Sequence, residues 1–301
     1  MSAVAGIAAS FACQQPRVDL ARESAGIRWD LLSGRIVYAR WDQPISSDPR
    51  GLMFLIDVPG RRLTVVRDVS TRGKPPSFES TGWAREVALK PGSSTVAFTV
   101  LNESDLWELR TLALDSGNER VLFPDPMAHH NFPAWAPDGR LAYYANGADG
   151  EQLFVDGRFL MNGVGPSRVA WMPGGTLIVS LPDSTSPAAL YVADPQSHSL
   201  APLVVGTDIF EEPIIDPAGQ KLAYVRRGPG ADGEEVWFSK IDGTSQTRAT
   251  HGYADYNPAW SSDGSAILFA RFNAGLFVYD LATGSTTQVT EGYADAMTWS
   301  P

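Results

Sequence analysis

Short runs with apolar residues near every second position recur along this chain, separated by polar turn residues; "RLAYYA" (140–145) and "AILFAR" (266–271) are examples. A period of two belongs to a strand, because successive side chains point to opposite faces of a sheet. No long stretch carries apolar residues at helical spacing, and 22 prolines and 28 glycines supply the turns that many short strands need. The pattern predicts an all-β protein.

The runs are organised as a repeat. "YNPAWSSDGSAILFARF" (256–272) and "NFPAWAPDGRLAYYAN" (131–146) are its clearest copies, and weaker ones begin at Glu211, Ser167 and Ala84. Each copy reads as a hairpin: an apolar strand ends on a tryptophan or its apolar substitute, a Pro-Asp-Gly turn follows, and a second strand leaves it. Proline presets φ, aspartate bonds the backbone two residues on, and glycine takes the left-handed position. The marker positions are Leu89, Trp135, Trp171, Ile215, Trp260 and Trp299, at intervals of 46, 36, 44, 45 and 39 residues. Third strands such as "GLFVYDLAT" and polar fourth strands such as "STTQVTEG" complete units of four strands, A to D. That length and content predict propeller blades, with the marker packed between neighbours.

The last marker, Trp299, has no strands B to D after it. Candidates stand at the other end of the chain: "SGRIVYARW" (33–41) as B, "RGLMFLIDVPG" (50–60) as C and "RRLTVVRD" (61–68) as D. The expected ring is therefore closed by a composite blade with strand A from the C-terminal residues and B to D from the N-terminal ones. An open ring would leave strand edges and apolar faces unpaired. In the competing arrangement Trp29 begins a private hairpin with residues 33–41.

Residues 257–269, "NPAWSSDGSAILF", and 132–143, "FPAWAPDGRLAY", resemble the repeat of the TolB-like, or PD40, propellers. The resemblance spans nearly the whole chain after residue 25 and implies a six-bladed propeller over 25–301. It also implies a scaffold that docks a protein partner or small ligand at one rim, since TolB-like relatives include periplasmic proteins that act by docking.

Composition narrows this picture. A net charge of -10 without any long Lys/Arg run argues against nucleic acid and anionic lipid as partners. The single cysteine, Cys13, excludes an internal disulfide. Residues 1–24 contain "AVAGIAASFAC" followed by a polar stretch, which fits either an export signal with a lipid-anchored Cys13 or a disordered tail. The first reading places the protein in the periplasm or cell envelope and the second in the cytoplasm; a monomer is expected in either.

No G-x-S-x-G elbow, P-loop, H-E-x-x-H or dinucleotide fingerprint is present. Candidate chemistry sits in the loops that enter each strand A, which place His129, His130, Asn131, Asp208, Glu211, Glu212, His251, Asp255 and Asp295 near one rim. A ligand-binding rim is expected from His130, Asn131, Asp208, Glu211, Asp255 and Asp295. The enzymatic alternative, a lyase or hydrolase at the channel mouth, uses His129, His130, His251 and Asp255, with or without a divalent cation. Turn capping and a water-filled channel explain the same residues structurally, and the structural role is favoured; no cofactor is expected. The acidic stretches 146–152 and 228–236 read as B–C turns, and 70–83 as a rim loop.

Overall fold

The computed structural model describes residues 19–41, 51–68, 86–102, 104, 106–124, 127–148, 150–162, 167–182, 188–228, 233–251 and 254–300. Cys13 and the 70–83 loop lie outside them. The described residues form six four-stranded antiparallel sheets arranged as a propeller. Blade 1 starts at strand A Val87–Leu89 and blade 2 at His129–Trp135. Blades 3, 4 and 5 start at Ala170–Trp171, Ile209–Ile215 and Asp255–Trp260.

Blade 6 is the composite. Tyr293–Ser300 pairs with Arg35–Trp41, which pairs with Gly51–Asp57 and then Arg62–Asp68. The private hairpin of Trp29 does not form: Trp29–Leu31 is a single 3₁₀ turn, and the Trp29 indole N–H donates to Ser24 O at 3.1 Å. A short helix, Leu20–Ala25, is held to the composite blade by Arg40–Glu23 at 2.6 Å. Ile27 and Leu32 join the core between blades 5 and 6.

The core is divided rather than central. Among the described residues six clusters of buried apolar residues occur, one at each blade–blade interface. Strand periodicity accounts for this, because the two faces of a radial sheet each meet a different neighbour. Strand B of blade 3, Leu177–Leu181, is buried along its whole length, sending Leu177 and Val179 towards blade 2 and Ile178 towards blade 4.

The turns follow their sequence. Asp138 Oδ1 accepts the N–H of Arg140 at 3.1 Å, and Asp263 Oδ1 that of Ser265 at 3.0 Å, each two residues on. Gly219 has φ +68°, and a Cβ there would lie 2.3 Å from Pro173 Cγ of the preceding blade's turn, so both conformation and space require glycine.

Candidate functional site

Strand A is the innermost strand of every blade, and in blades 2 and 4 its seven residues of extended chain run along the channel. Its start forms one rim, here the inlet; its marker and the turn after it form the opposite mouth.

At the inlet three of the predicted residues, His129, Asp208 and Asp255, are bonded within the fold. Asp255 is fully buried and held by two bonds from Arg271, at 2.7 and 3.1 Å; in blade 4 Arg226 pairs with Asp208 at 2.5 Å. Both arginines stand in the last two residues of strand B and lie over aromatic rings of their own blade, Arg271 over Phe269 and Phe277, Arg226 over Phe210 and Trp237. His129 Nδ1 accepts the Trp107 N–H at 3.1 Å, so that nitrogen carries no proton. Burial holds the pKa of His129 below 6.5. His130 is buried with its ring 5.6 Å from that of Tyr143, and His251 is exposed. Asn131 Oδ1 is buried and has no hydrogen-bond partner among the described residues. Glu211 is half-buried in mid-strand, and only the backbone of Asp295 is described, opposite Ala39. Gly252 and Tyr253 lie outside the described residues. Among the described residues no three His, Cys, Asp or Glu side chains meet closely enough to hold a metal ion.

Midway along the channel is a belt of which the sequence reading caught only Glu212, expected at the rim. Three residues before each marker stand Glu86, Phe132, Arg168, Glu212, Asn257 and Ala296. Strand A bulges there, and Phe132, Glu212 and Asn257 all have φ +53° and precede a proline. The bulge sits where proline offers no N–H to the ladder, and it frees the preceding N–H to turn to the next blade. Phe132 N–H donates to Glu86 Oε2 at 2.8 Å, Glu212 N–H to Ser167 Oγ at 2.8 Å, and Asn257 N–H to Glu212 Oε2 at 2.5 Å. Arg168 goes further: from blade 3 it skips blade 4 and donates to Asn257 Oδ1 at 3.1 Å and Pro258 O at 3.4 Å on blade 5. It joins two blades that are not neighbours. Aligning the repeat on its marker and reading this one column would have found it.

Beyond the belt the channel opens into a funnel of about 430 Å³ lined by all six blades. The markers Leu89, Trp135, Trp171, Ile215, Trp260 and Trp299 form its wall, and the residues before them, Ala88, Ala134, Ala170, Ile214, Ala259 and Thr298, are mostly small and keep it open. Arg168 lies at its floor.

The tryptophans are fixed by their neighbours. Trp171 Nε1–H donates to Ala134 O at 2.9 Å and Trp260 Nε1–H to Ile214 O at 3.1 Å, each on the preceding blade. In the composite blade the Trp299 indole turns instead to Ser33 O at 2.5 Å, within its own blade. A cation from the preceding blade lies over three of the rings: Lys90 over Trp135, Arg140 over Trp171 and Lys221 over Trp260, at 4.8, 4.6 and 5.5 Å.

No protein-family model matches the chain, and no curated protein matches it by sequence. Solved structures do match. TolB from Acinetobacter baumannii superposes with a TM-score of 0.76 at 19% identity, covering 95% of this chain and 73% of that one. A putative TolB from Agrobacterium tumefaciens gives 0.63 at 15% identity, with 87% and 90% covered. A chain of the nidogen/laminin complex gives 0.63 at 11% identity, with 88% and 97% covered. Identities this low speak for architecture, and in architecture the chain is a TolB-like six-bladed β-propeller.

Proposed function

We propose that this protein is a non-catalytic binding propeller that seats a partner in the funnel at the marker end of its channel, and that it works in the cell envelope. The funnel carries the proposal: a preformed, largely apolar concavity lined by few polar groups, Arg168 and Asp216 among them, has the composition of a recognition site. At the inlet, by contrast, Asp208 and Asp255 are spent on their own blades' arginines and His129 on a backbone N–H. The envelope location rests on the "AVAGIAASFAC" segment, and the intact mass of the mature protein tests it: cleavage before Cys13 with an added lipid supports it, and an unprocessed N-terminus overturns it.

The binding site is tested by placing a photo-crosslinking amino acid at Ala88 and Ala134 in the funnel, and at His251 on the inlet, in cells that make the protein. A discrete adduct is expected at both funnel positions. Adducts at His251 alone would move the site to the other rim.

A further inference from the structure

Four blades carry an aromatic pair across strands B and C: Tyr38–Phe54, Tyr143–Phe154, Tyr224–Trp237 and Phe269–Phe277. Two residues after the strand B member stand Arg40 in blade 6, Arg226 in blade 4 and Arg271 in blade 5. Each guanidinium lies over the strand C ring, at 4.8, 4.3 and 4.4 Å, and each is held by a carboxylate, that of Glu23, Asp208 and Asp255 in turn. Blade 2 has the same pair but no arginine at that position. The residue is Ala145, and His130 stands opposite it where Asp255 faces Arg271.

A cavity of about 460 Å³ lies at this place, between blades 1 and 2. Ala145, His130 and both rings of the pair line it, with Phe123 and Gln152. Phe123 follows strand D of blade 1 and stacks on Tyr143 at 4.7 Å, while Phe154, the strand C ring, lines the space. Gln152 gives its amide N–H to Asn162 Oδ1 at 3.0 Å and so offers an amide oxygen as acceptor. The matching crevice between blades 4 and 5, which Arg271 lines, is about 240 Å³.

The face of an aromatic ring attracts a cation through its quadrupole, and a planar guanidinium also stacks on it. The repeat itself therefore shows what this aromatic pair accepts, three times over at one register. A net charge of -10 favours the approach of a cation. The surroundings are those of a protein contact: Met127 lines the cavity, Phe159 packs 6.0 Å from Phe154, Val121 stands two residues before Phe123, and all three are exposed.

We infer that this cavity takes the arginine side chain of a partner protein, its guanidinium over Phe154 in the place that Ala145 leaves open. The site is separate from the funnel and does not rest on it.

The test labels the methionine methyl groups of the full chain isotopically and follows the Met127 resonance, assigned from Met127→Leu, as blocked tripeptides Leu-Xaa-Leu are added. Xaa is arginine, lysine, citrulline or norleucine; citrulline keeps the shape of arginine and loses the charge. The arginine peptide should bind at least about fivefold more tightly than the citrulline and norleucine peptides, and more tightly than agmatine, a free guanidinium. Lysine, with charge but no plane, should fall between. Ala145→Arg with His130→Asp rebuilds the pair of blade 5, and should weaken arginine binding at least tenfold without lowering Tm. Should that double variant fail to fold, Phe154→Leu still decides, by bringing the arginine–citrulline ratio close to one.

Equal binding of arginine and citrulline, no binding of any peptide, or arginine binding that survives these variants overturns the assignment. So does lysine equal to arginine, which would remove the preference for a guanidinium. Norleucine above arginine overturns it in favour of an apolar side chain, and agmatine at or above the arginine peptide in favour of a small guanidinium compound.

Discussion

The two ends of strand A carry the same kinds of residue and use them differently. At the inlet, charge is settled within a blade: Asp255 meets Arg271 and Asp208 meets Arg226, each pair across two adjacent strands. From the mid-channel belt to the funnel, polar groups reach between blades, as Glu86 does to Phe132 and Arg168 to Asn257. A charge neutralised by its own hairpin stabilises that hairpin and offers little to a ligand. A charge that reaches past the neighbouring blade ties the ring together and stands at the lining of the funnel.

Deleting residues 293–301 should have the largest effect, since it removes from the composite blade a strand that serves both ends. Arg35–Trp41 would lose one of its two partner strands along its whole length, and the core between blades 5 and 6 would lose Ala294, Met297 and Trp299. Thermal melting and size-exclusion chromatography should show an unfolded or oligomeric product. Melting at the wild-type temperature would mean that the C-terminal strand does not close the ring.

The next test separates the ends. Asp255→Ala strips the buried partner from Arg271 and should cost about 3–5 kcal/mol by denaturant unfolding, because breaking a buried pair leaves an uncompensated charge. Adding Arg271→Leu should recover much of the loss. Funnel binding should be unchanged in the double variant, and reduced binding there would show that the two ends are coupled.

These ends were unequally legible in the sequence. The hairpin period, the Pro-Asp-Gly turns and the marker spacing located every strand of the composite blade to within three residues, because they report local backbone preferences that burial on both faces reinforces. Inlet residues stood out for a misleading reason: His129, Asp208 and Asp255 are chemically conspicuous, but whether a carboxylate is free depends on a strand B arginine some 16 to 18 residues away. Arg168 sat in an ordinary "SRVAW" and showed nothing by itself. Its importance comes from skipping a blade, a contact 89 residues long that only ring closure creates.

Within the funnel wall, one pair of tryptophans sharpens the contrast between a residue that staples blades and one that only fills space. Trp260→Phe loses the indole bond to Ile214 O and should cost about 1 kcal/mol more than Trp135→Phe, whose Nε1 is buried without a partner among the described residues. Lysines lie over both rings, so that contribution cancels in the comparison. Equal losses in chemical denaturation would show that area, not the hydrogen bond, holds the markers.

The smallest effect separates the ends by pH. Burial lowers the pKa of His129 below 6.5, so as pH falls through 6.5 the unfolded chain takes up a proton that the folded inlet resists, and stability declines. Protonation would also remove the acceptor used by the Trp107 N–H. At the funnel end, the N–H of Ser265 and the hydroxyls of Ser261 and Ser265 hold the Asp263 carboxyl at about 2, below the ordinary 3.8. Its contribution is complete above 3.8 and is lost only as pH falls towards 2. His129→Gln should therefore flatten the stability profile just below 6.5 and leave the acid limb alone, while Asp263→Asn should flatten the limb between 4 and 2. Midpoints of urea unfolding across pH 2–8 measure both, and a single variant that moved both windows would show that the two ends do not titrate independently.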